Sequence, residues 1–249
     1  MHAIEKAAAL VEDAQRICVL TGAGISTDSG IPDFRGPNGV WTKNPGAEKA
    51  ANIQTYVSDP LARQRAWQRY LDGGVWTERE PNDGHRALVR LEARGKLDTL
   101  ITQNVDGLHA RAGTSEGKLV EIHGTMAKAM CLSCGRRWPI AEVLERVRAG
   151  DPDPHCLVCG GILKTATISF GQNLVVEDLE RSEQAATTCD LMLAVGTSLA
   201  VTPIAYVVPI AARHGAPVII VNAEPTQYDD VASVLVSDGI SEALPRIVG

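Results

Sequence analysis

The sequence predicts an α/β fold in which helices cover both faces of a mostly parallel sheet and a smaller domain is inserted. Three features support this prediction: short apolar runs, amphipathic stretches between them, and two longer segments that break the alternation. Strands that alternate with helices are typical of parallel sheets, because the crossover between two parallel strands usually contains a helix. The length of 249 residues suits one main domain with an insertion.

The chain opens with a predicted helix over residues 3–15, where apolar side chains recur at helical spacing. Residues 17–20 form a short apolar run that predicts a strand buried on both faces. Similar runs follow along the chain, and helical stretches separate most of them. The runs predict strands at residues 97–102, 119–122, 167–170, 191–195 and 218–221, and the stretches predict helices at residues 84–93, 177–187 and 203–213.

Two segments interrupt this alternation. Residues 37–83 contain several aromatic residues but no convincing buried strand, and residues 125–166 contain four cysteines and a charged stretch. We therefore predict a Rossmann-like, doubly wound main domain made of residues 1–36, 84–124 and 167–249. The helical insertion at residues 37–83 and the cysteine-rich module at residues 125–166 are predicted to form a small domain together.

The composition excludes several classes of protein. Hydrophobic residues make up 45% and charged residues 22%, which argues against disorder. The net charge of −6 gives no basic field that would attract nucleic acid, and it suits a basic, lysine-bearing partner instead. No apolar segment approaches the length of a membrane span, and none resembles a secretion signal. We therefore expect a cytoplasmic protein with no membrane partner and no direct nucleic-acid binding.

Four cysteines are arranged as two pairs, each with two residues between its members. Cys131 and Cys134 form the first pair, and Cys156 and Cys159 form the second. In a reducing compartment, such pairs favour metal ligation over disulfides. Four thiolates around one tetrahedral zinc leave no position open for water or substrate, so the predicted zinc is structural. The alternative is two buried or disulfide-bonded pairs.

The neighbours of these pairs carry further expectations. Gly135 and Gly160 each follow the second cysteine of a pair, where the chain often turns back with a positive φ angle. His155 precedes Cys156 directly, and we expect it to be a solvated neighbour and not a ligand. The two remaining cysteines, Cys18 and Cys189, are expected to be small core residues.

A glycine-rich turn follows the first predicted strand. Gly22, Ala23 and Gly24 would let the backbone approach a dinucleotide pyrophosphate closely. The full dinucleotide fingerprint fails, because Thr27 occupies the position of its third glycine. The turn alone is therefore weak evidence for a dinucleotide.

Two later strands end in residues that suit the same ligand. The strand at residues 191–195 runs into Gly196, Thr197 and Ser198, and the strand at residues 218–221 runs into Asn222, Ala223 and Glu224. Ligands of open parallel sheets bind beyond the carboxyl ends of the strands. Small hydroxyl residues suit phosphate there, whereas an amide and a carboxylate suit ribose hydroxyls.

Further polar residues follow the strands at residues 97–102 and 119–122. Gln103, Asn104 and Asp106 come after the first of these strands, and His123 comes after the second. An imidazole at a strand end can act as a proton acceptor near neutral pH, although a hydrogen-bonded core histidine is the alternative. His109 falls in the next predicted helix and is expected to be a packing residue. Asn104 and Asp106 could equally be helix caps.

Together these segments resemble the sirtuin family of NAD-dependent protein lysine deacylases, in its bacterial type. The resemblance covers the chain from about residue 10 onwards, includes the cysteine pairs, and follows the order of the family's motifs. The matching segments are Gly22-Ala23-Gly24-Ile25-Ser26, Ile31-Pro32-Asp33-Phe34-Arg35, Pro81-Asn82-Asp83-Gly84-His85, Thr102-Gln103-Asn104-Val105-Asp106, His123-Gly124, Gly196-Thr197-Ser198 and Asn222-Ala223-Glu224.

The resemblance implies a reaction in which the acyl group of a lysine passes to ADP-ribose and nicotinamide is released. It implies that His123 acts as the general base on a ribose hydroxyl and that Asn104 positions the ribose or water. Asp106 would hold the nicotinamide carboxamide beside Ile31. NAD is thus the implied co-substrate, and one structural zinc the implied metal.

The resemblance also implies the residues that contact NAD and the acyl-lysine peptide. Phe34 and Arg35 would lie on a mobile loop, residues 26–41, that closes over NAD. Phe170 and Gly171 would pair with the peptide. The implied NAD-binding residues are Gly22, Ala23, Gly24, Thr27, Asp33, Phe34, Arg35, Trp41, Gln103, Asn104, Asp106, Gly196, Thr197, Ser198, Asn222, Ala223, Glu224 and Ile240.

Two departures from the family pattern bear on the substrate. Gln172 stands where many bacterial relatives have a glutamate, which removes one charge from the edge that pairs with the peptide. The region after Arg35 reads Trp41-Thr42-Lys43-Asn44 and lacks the Tyr-x-x-Arg pair of relatives that remove succinyl groups. This difference favours a neutral acyl group such as acetyl and disfavours acidic ones.

Two other functions remain open at this point. A mono-ADP-ribosyltransferase would give the same activated ribose to a nucleophile on a protein. An NAD-sensing module would bind the dinucleotide without useful turnover, although it would not need a base at His123.

Overall fold

The computed structural model describes residues 2–33, 36, 39–43, 52–74 and 78–249, with only the backbone for Val40 and Trp41. Its main feature is a six-stranded sheet in which every pair of neighbours is parallel. Numbered along the chain, its strands are β1 (Ile17–Thr21), β2 (Leu97–Thr102), β3 (Leu119–Glu121), β7 (Leu191–Val195), β8 (Val218–Val221) and β9 (Val234–Val236). The spatial order β3-β2-β1-β7-β8-β9 is that of a doubly wound dinucleotide-binding sheet, which confirms the predicted fold class.

Helices cover both faces of this sheet. One face packs against α1, α5 and α10, and the other packs against α8 and α9. The helices are α1 (Ala3–Asp13), α2 (Val40–Lys43), α3 (Ile53–Ser58), α4 (Pro60–Arg69), α5 (Asp83–Ala93), α6 (Leu108–Ala112), α7 (Ile140–Arg148), α8 (Val176–Thr188), α9 (Val207–Arg213) and α10 (Ile240–Val248). Shorter helical turns occur at Ala23–Ser29, Tyr70–Gly74, Ile204–Tyr206 and Asp229–Val231.

Strand β1 lies at the centre of the sheet and is buried along its whole length. Ile17 and Val19 face the helices on one side, whereas Cys18 and Leu20 face those on the other. Burying one aliphatic side chain of this size stabilises a fold by about 1.5–3 kcal/mol. A strand buried on both faces therefore consists almost entirely of apolar residues.

A second, antiparallel sheet has the strand order β5-β4-β6. Its strands are β4 (Gly124–Cys131), β5 (Arg137–Pro139) and β6 (Leu163–Thr167). Helix α7 packs against this sheet around the fully buried side chain of Trp67. Trp67 belongs to α4, so the helical insertion contributes to the core of the cysteine-rich module.

Polar contacts also join these two segments. The Tyr56 hydroxyl in α3 donates a 2.8 Å hydrogen bond to the carbonyl oxygen of Leu163 in β6. Arg63 in α4 donates from Nε and Nη2 to the carboxylate of Asp153, at 2.8–3.0 Å. Both side chains of this ion pair are largely buried. Removal of either one would leave the other as a buried, unpaired charge.

One predicted strand is wrong, and several elements were not predicted. The strand expected at residues 167–170 lies earlier, at Leu163–Thr167, and Phe170 forms only an isolated parallel bridge with Asn52. Lys164 interrupts the apolar pattern of the true strand. Strand β9 has only three residues, and helix α10 contains Pro245, so both have weak sequence signals.

The other predicted elements are confirmed with small changes at their ends. The first helix ends at Asp13, because Ala14 is extended. The segment at residues 203–213 begins as a 3₁₀ turn and becomes α-helical at Val207. Among the described residues, no helix combines the length and the apolar composition needed to cross a bilayer.

Candidate active site

The turns after β1 and β7 meet at the point where the strand order of the sheet reverses. Gly196 has a φ angle of +60°, and a Cβ atom there would lie 2.4 Å from the amide nitrogen of Ile25. A Cβ atom on Gly22 or Gly24 would lie 2.7 Å from atoms of Gly196 or Thr197. Glycine is therefore required on both sides, since the two backbones are in contact at the position where such sheets bind ligands.

A cleft of about 1350 Å³ opens from these turns toward the antiparallel sheet. It brings together residues that are far apart in the sequence. The predicted site residues that line it are Gly22, Ala23, Gly24, Thr27, Asp33, Gln103, Asn104, His123, Phe170, Gly171, Gly196, Thr197, Ser198, Asn222, Ala223, Glu224 and Ile240. Phe34, Arg35 and the side chain of Trp41 lie outside the described residues.

His123 lies just beyond β3 with one ring nitrogen engaged. Its Nδ1 atom is 3.0 Å from the carbonyl oxygen of Gln103, which can only accept a hydrogen bond. Nδ1 therefore carries the proton in the neutral ring, and Nε2 is the basic atom. Burial lowers the pKa of His123, and the Gln103 carbonyl opposes this shift only in part. The neutral form, able to accept a proton, is thus favoured at neutral pH.

Asn104 is fixed by three hydrogen bonds. Its side-chain Nδ2 donates to the carbonyl oxygen of Gly22 and to the Ser26 hydroxyl, both at 3.1 Å. Its backbone amide donates to the Thr102 hydroxyl at 3.1 Å. Since Nδ2 is occupied, the side-chain oxygen is the group of Asn104 that a ligand could use.

A chain of buried groups continues beneath Asn104. Thr102 accepts a 2.9 Å hydrogen bond from the hydroxyl of Thr21, and Nε2 of His109 lies 3.0 Å from the same Thr21 hydroxyl. Because the Thr21 proton points to Thr102, the His109 ring is the donor. The His109 ring is tilted by 57° against that of His85, with 4.8 Å between the ring centres; His109 is 2% exposed and does not line the cleft. It is thus a buried packing residue, as predicted.

Asp106 lies in a small recess next to the cleft, with Ile31 and Pro32 as neighbours. Its carboxylate accepts hydrogen bonds from the Ser26 hydroxyl at 2.7 Å and from the backbone amide of Leu108 at 2.9 Å. Burial raises the pKa of Asp106, whereas these hydrogen bonds lower it. The recess therefore combines an apolar wall with one buried carboxyl group.

The remaining strand ends are linked by amide side chains. Gln103 donates from Nε2 to the Thr197 hydroxyl at 2.8 Å, which ties the turn after β2 to the turn after β7. Asn222 donates from Nδ2 to the carbonyl oxygen of Glu224 at 2.7 Å. These bonds hold the hydroxyl, amide and carboxylate groups along one edge of the cleft.

The four paired cysteines form one cluster, as predicted. Their sulfur atoms all lie within 4.8 Å of one another, with 3.5 Å between Cys131 and Cys159 and 3.8 Å between Cys134 and Cys156. A disulfide requires about 2.05 Å, so neither pair is bonded. Four sulfurs each about 2.3 Å from one zinc ion lie about 3.8 Å apart, so the cluster fits a structural zinc.

The turns around the cysteines also match the expectation. Gly135 and Gly160 have φ angles of +70° and +71°. Backbone amides of Ser133 and Val158 point at the sulfurs of Cys131 and Cys156, each at 3.4 Å. His155 is exposed, and its Nδ1 donates to the carbonyl oxygen of Gly160 at 2.9 Å. It is therefore a neighbour of the cluster and not one of its ligands.

One wall of the cleft consists of residues that no sequence motif singles out. Arg65, Arg69 and Tyr70, from α4 and the turn after it, line this wall together with Lys164 from β6. Lys164 is 2% exposed, and its ammonium donates to the carbonyl oxygen and the hydroxyl of Thr167, at 2.7 and 3.2 Å. The only sequence signal for Lys164 is that it is the one charged residue between Ile162 and Phe170.

Comparison with known proteins identifies this arrangement. A model of the Sir2 family matches residues 22–203, a span that contains the glycine turn, His123, the cysteine cluster and the turn after β7. The chain belongs to the Sir2 family. The resemblance noted in the sequence is therefore confirmed.

Individual Sir2 relatives cover nearly the whole chain. NAD-dependent protein deacetylase 2 of Streptomyces coelicolor is 47% identical over 232 residues, which are 93% of this chain and 96% of that protein. NAD-dependent protein deacylase 2 of Pyrobaculum aerophilum is 38% identical and covers 96% of this chain and 92% of its own length. Among Sir2 structures, one of "Sir2-p53 peptide-NAD+" superposes with a TM-score of 0.86 at 31% identity, covering 99% of this chain and 97% of the other.

Proposed function

We propose that this protein is an NAD-dependent protein lysine deacetylase that transfers the acyl group from lysine to ADP-ribose and releases nicotinamide. The observation that carries the proposal is His123, whose free Nε2 is held in the same cleft as the glycine turns of β1 and β7. Relatives that cover more than nine-tenths of the chain carry the name NAD-dependent protein deacetylase. A Sir2 structure with NAD and a peptide shares its fold.

The strand-end residues fit NAD. The backbones of Gly22 and Gly24 are in contact with the turn at Gly196. None of these three residues has a side chain that would block a pyrophosphate from approaching the backbone amides. The Thr197 and Ser198 hydroxyls suit phosphate or ribose, and Asn222 and Glu224 suit the adenosine ribose. Ile240 also lines the cleft, and we assign it to the adenine edge. Bound NAD would supply the ribose carbon that loses nicotinamide and takes up the acyl oxygen.

His123 serves as the proton acceptor. Its Nε2 takes a proton from a ribose hydroxyl, which then becomes able to receive the acyl group from lysine. The proton on Nδ1 stays hydrogen-bonded to the Gln103 carbonyl oxygen, and this bond fixes the orientation of the ring during the transfer. The residue acts after nicotinamide has left, because breaking that bond needs no base.

Asn104 and Asp106 act as positioning groups at the reacting end of NAD. The Asn104 side-chain oxygen is available for a ribose hydroxyl or a water molecule, since its nitrogen is held by Gly22 and Ser26. Asp106 would hold the nicotinamide carboxamide in the recess beside Ile31. The apolar wall of this recess excludes water, which would otherwise consume NAD by hydrolysis.

The acyl-lysine peptide binds between the two sheets. Phe170 and Gly171 follow β6 and line the cleft; Phe170 forms a parallel bridge with Asn52, and Gly171 lies in a turn with a φ angle of +83°. The backbone amide of Ile53 donates a 3.0 Å hydrogen bond to the carbonyl oxygen of Phe170. A peptide would run along this segment and direct its acyl-lysine toward His123.

The two predicted domains have different roles in this proposal. Residues 1–36, 84–124 and 167–249 form the NAD-binding domain, and residues 37–83 and 125–166 form a small domain that completes the cleft. The zinc cluster holds the shape of the small domain and takes no part in the reaction. The protein acts on acetylated proteins in the cytoplasm.

Product analysis tests the proposal. Purified protein is incubated with NAD and an acetyl-lysine peptide, and the products are analysed by mass spectrometry. Deacetylated peptide, nicotinamide and O-acetyl-ADP-ribose are expected, in equal amounts. A mass gain of ADP-ribose on protein would indicate a mono-ADP-ribosyltransferase, and NAD binding without products would indicate a sensor.

Replacement of the base gives a second test. His123→Ala should abolish deacetylation while leaving the thermal midpoint and the zinc content unchanged. His214→Ala, at an exposed histidine far from the cleft, is the matched control and should retain full activity. Substantial turnover by the His123 variant would contradict the role assigned to this residue.

A further inference from the structure

The charged side chains that line the cleft are separated by sign. Among the described residues that line it, the carboxylates all follow strands of the six-stranded sheet, and the arginine and lysine side chains all lie on the opposite wall, in α4 and β6. The carboxylates are Asp28, Asp33, Glu224 and Asp238, and the cations are Arg65, Arg69 and Lys164. This separation exists although the whole chain has a net charge of −6.

One face of α4 forms the cationic wall. Ala62 and Ala66 line the cleft, and so do Arg65 and Arg69, which are four residues apart. Residues three and four apart share one face of a helix, so the two arginines stand next to each other above two small side chains. The alanines leave room for an extended chain to approach the arginines.

The positive charge of this wall is only partly neutralised. Arg65 pairs with Asp59 at 3.3 Å, but both side chains are exposed, so water and salt weaken this contact. Arg69 makes no ion pair with any residue that the structure describes. Lys164 contacts only the oxygens of Thr167, and burial lowers its pKa to about 8, so it is still mainly protonated at neutral pH.

At the neighbouring edge, the described polar residues Gln172 and Asn173 are neutral amides. Gln172 lies in the segment that we assign to peptide pairing, and its side-chain oxygen accepts a 2.8 Å hydrogen bond from the backbone amide of Ser169. Asn173 follows it in the lining of the cleft. A substrate that lies along this edge therefore meets neutral amides on one side and the arginines of α4 on the other.

We propose that this enzyme selects acyl-lysines that are flanked by aspartate or glutamate, through Arg65 and Arg69 on α4. This inference rests on the proposed function and specifies its substrate class. Charges at the rim of a binding site act mainly on association and on the choice of partner. The preference therefore appears in KM and in peptide affinity, whereas kcat is unchanged.

Two acetyl-lysine peptides of equal length test the proposal. One carries aspartate and glutamate on both sides of the acetyl-lysine, and the other carries arginine and non-acetylated lysine there. The acidic peptide should show a several-fold lower KM and a several-fold tighter Kd by fluorescence anisotropy at low salt. The difference should shrink toward parity in 0.5–1 M salt, where the screening length falls to about 3–4 Å.

Charge reversal identifies the residues responsible. Arg69→Glu, alone and combined with Arg65→Glu, should remove or reverse the preference without changing the thermal midpoint by more than a few degrees. Arg213→Glu, at the exposed end of α9 outside the cleft, is the matched control and should keep the preference. Equal affinity of the wild-type protein for the two peptides, or a preference that survives charge reversal, would overturn the inference.

The binding measurement keeps the inference separate from the proposed function. If neither peptide is deacetylated, the proposed function is wrong. The difference in Kd between the two peptides, measured by fluorescence anisotropy, still decides whether the arginines of α4 select acidic segments. If both peptides are deacetylated equally well and bound equally well, the function stands and the inference is wrong.

Discussion

The hydroxyl of Thr21 donates a 2.9 Å hydrogen bond to the hydroxyl of Thr102, and so joins the last residues of two adjacent parallel strands. Thr102 in turn accepts from the backbone amide of Asn104. All three residues are buried. The position of Asn104 in the cleft therefore depends on a hydroxyl pair at the carboxyl ends of β1 and β2, which does not itself line the cleft.

Thr102→Val should separate this role from simple packing. The change keeps the shape of the side chain but leaves the Asn104 amide without an acceptor and the Thr21 hydroxyl with the His109 ring as its remaining partner. An unsatisfied buried amide costs about 1–3 kcal/mol of stability. We expect kcat to fall by about tenfold to a hundredfold, since a small displacement of Asn104 suffices. Steady-state kinetics measure this effect. Thr102→Ser retains the hydroxyl and should restore kcat, and a serine variant as impaired as the valine variant would refute the role.

The pH dependence of the rate should report the environment of His123. Its folded-state pKa is lowered by burial below the usual value of 6.5. The base is active only when neutral, so kcat/KM should remain high as the pH falls through 6.5 and decline only at lower pH. A pH–rate profile with saturating NAD measures this limb. An acid limb above pH 7 would contradict the assignment of His123 as the base.

The fold should lose stability in acid because of buried histidines. Burial lowers the pKa of His85 from 6.5 to about 4, and it lowers that of His109 as well. For His85, the unfolded chain binds more protons than the folded chain between pH 6.5 and about pH 4. The contribution of the neutral, buried histidine to the free energy of unfolding is therefore fully present above pH 6.5 and is lost as the pH falls toward 4. Each buried histidine contributes a loss of up to about 1.4 kcal/mol per pH unit in that range.

Thermal unfolding at several pH values measures this loss. His85→Gln cannot take up the proton and should reduce the dependence of the midpoint on pH between 6.5 and 4. His214→Ala changes an exposed histidine and is expected to leave that dependence as it is in the wild-type protein. Equal slopes in all three proteins would show that His85 does not take up a proton on unfolding.

Removal of zinc should inactivate the protein through its fold. Chelation, or Cys134→Ser, should lower the thermal midpoint and the activity together, because the cluster shapes the small domain and offers no site for water. Metal analysis should give one zinc per chain in the wild-type protein. Cys189→Ala removes a cysteine that lies outside the cluster and should keep full metal content. Activity that persists in a metal-free, folded protein would contradict this role.

The contact between the two glycine turns gives a prediction with a matched control. Gly196 and Gly215 both have positive φ angles, of +60° and +88°. A Cβ atom at Gly196 would collide with the backbone of Gly24 and Ile25, whereas one at Gly215 would meet nothing within 4 Å. Gly215→Ala should therefore cost only the backbone strain, about 1–2 kcal/mol.

Gly196→Ala should cost more than this, and it should also raise the Kd for NAD, because the turn after β1 must move. Thermal unfolding and NAD titration measure the two effects. Equal behaviour of the two variants would show that the turns are not in obligatory contact.

Several features were predictable because neighbouring residues determine them. The buried strands at the centre of the sheet appear as apolar runs, since both of their faces are covered. The cysteine cluster is visible in the spacing of its cysteines and in Gly135 and Gly160, since each cysteine pair lies in a local turn. The glycine turns and His123 are recognisable because they follow strands directly.

Other features depend on residues that are far apart in the sequence. Lys164 obscured the strand β6, and its buried ammonium is accommodated by hydrogen bonds to the carbonyl oxygen and the hydroxyl of Thr167. The pairing of Thr21 with Thr102 results from the register of β1 and β2, which no local pattern reveals.

The sequence by itself determined the family, the glycine turns, the proposed base and the cysteine cluster, since each is a short segment whose chemistry is local. Only the tertiary structure decided that α4 and β6 place Arg65, Arg69 and Lys164 on one wall, opposite the carboxylates of the other sheet. The physical reason is that charge acts through space. Its arrangement around the cleft exists only after the helical insertion has packed against the zinc module.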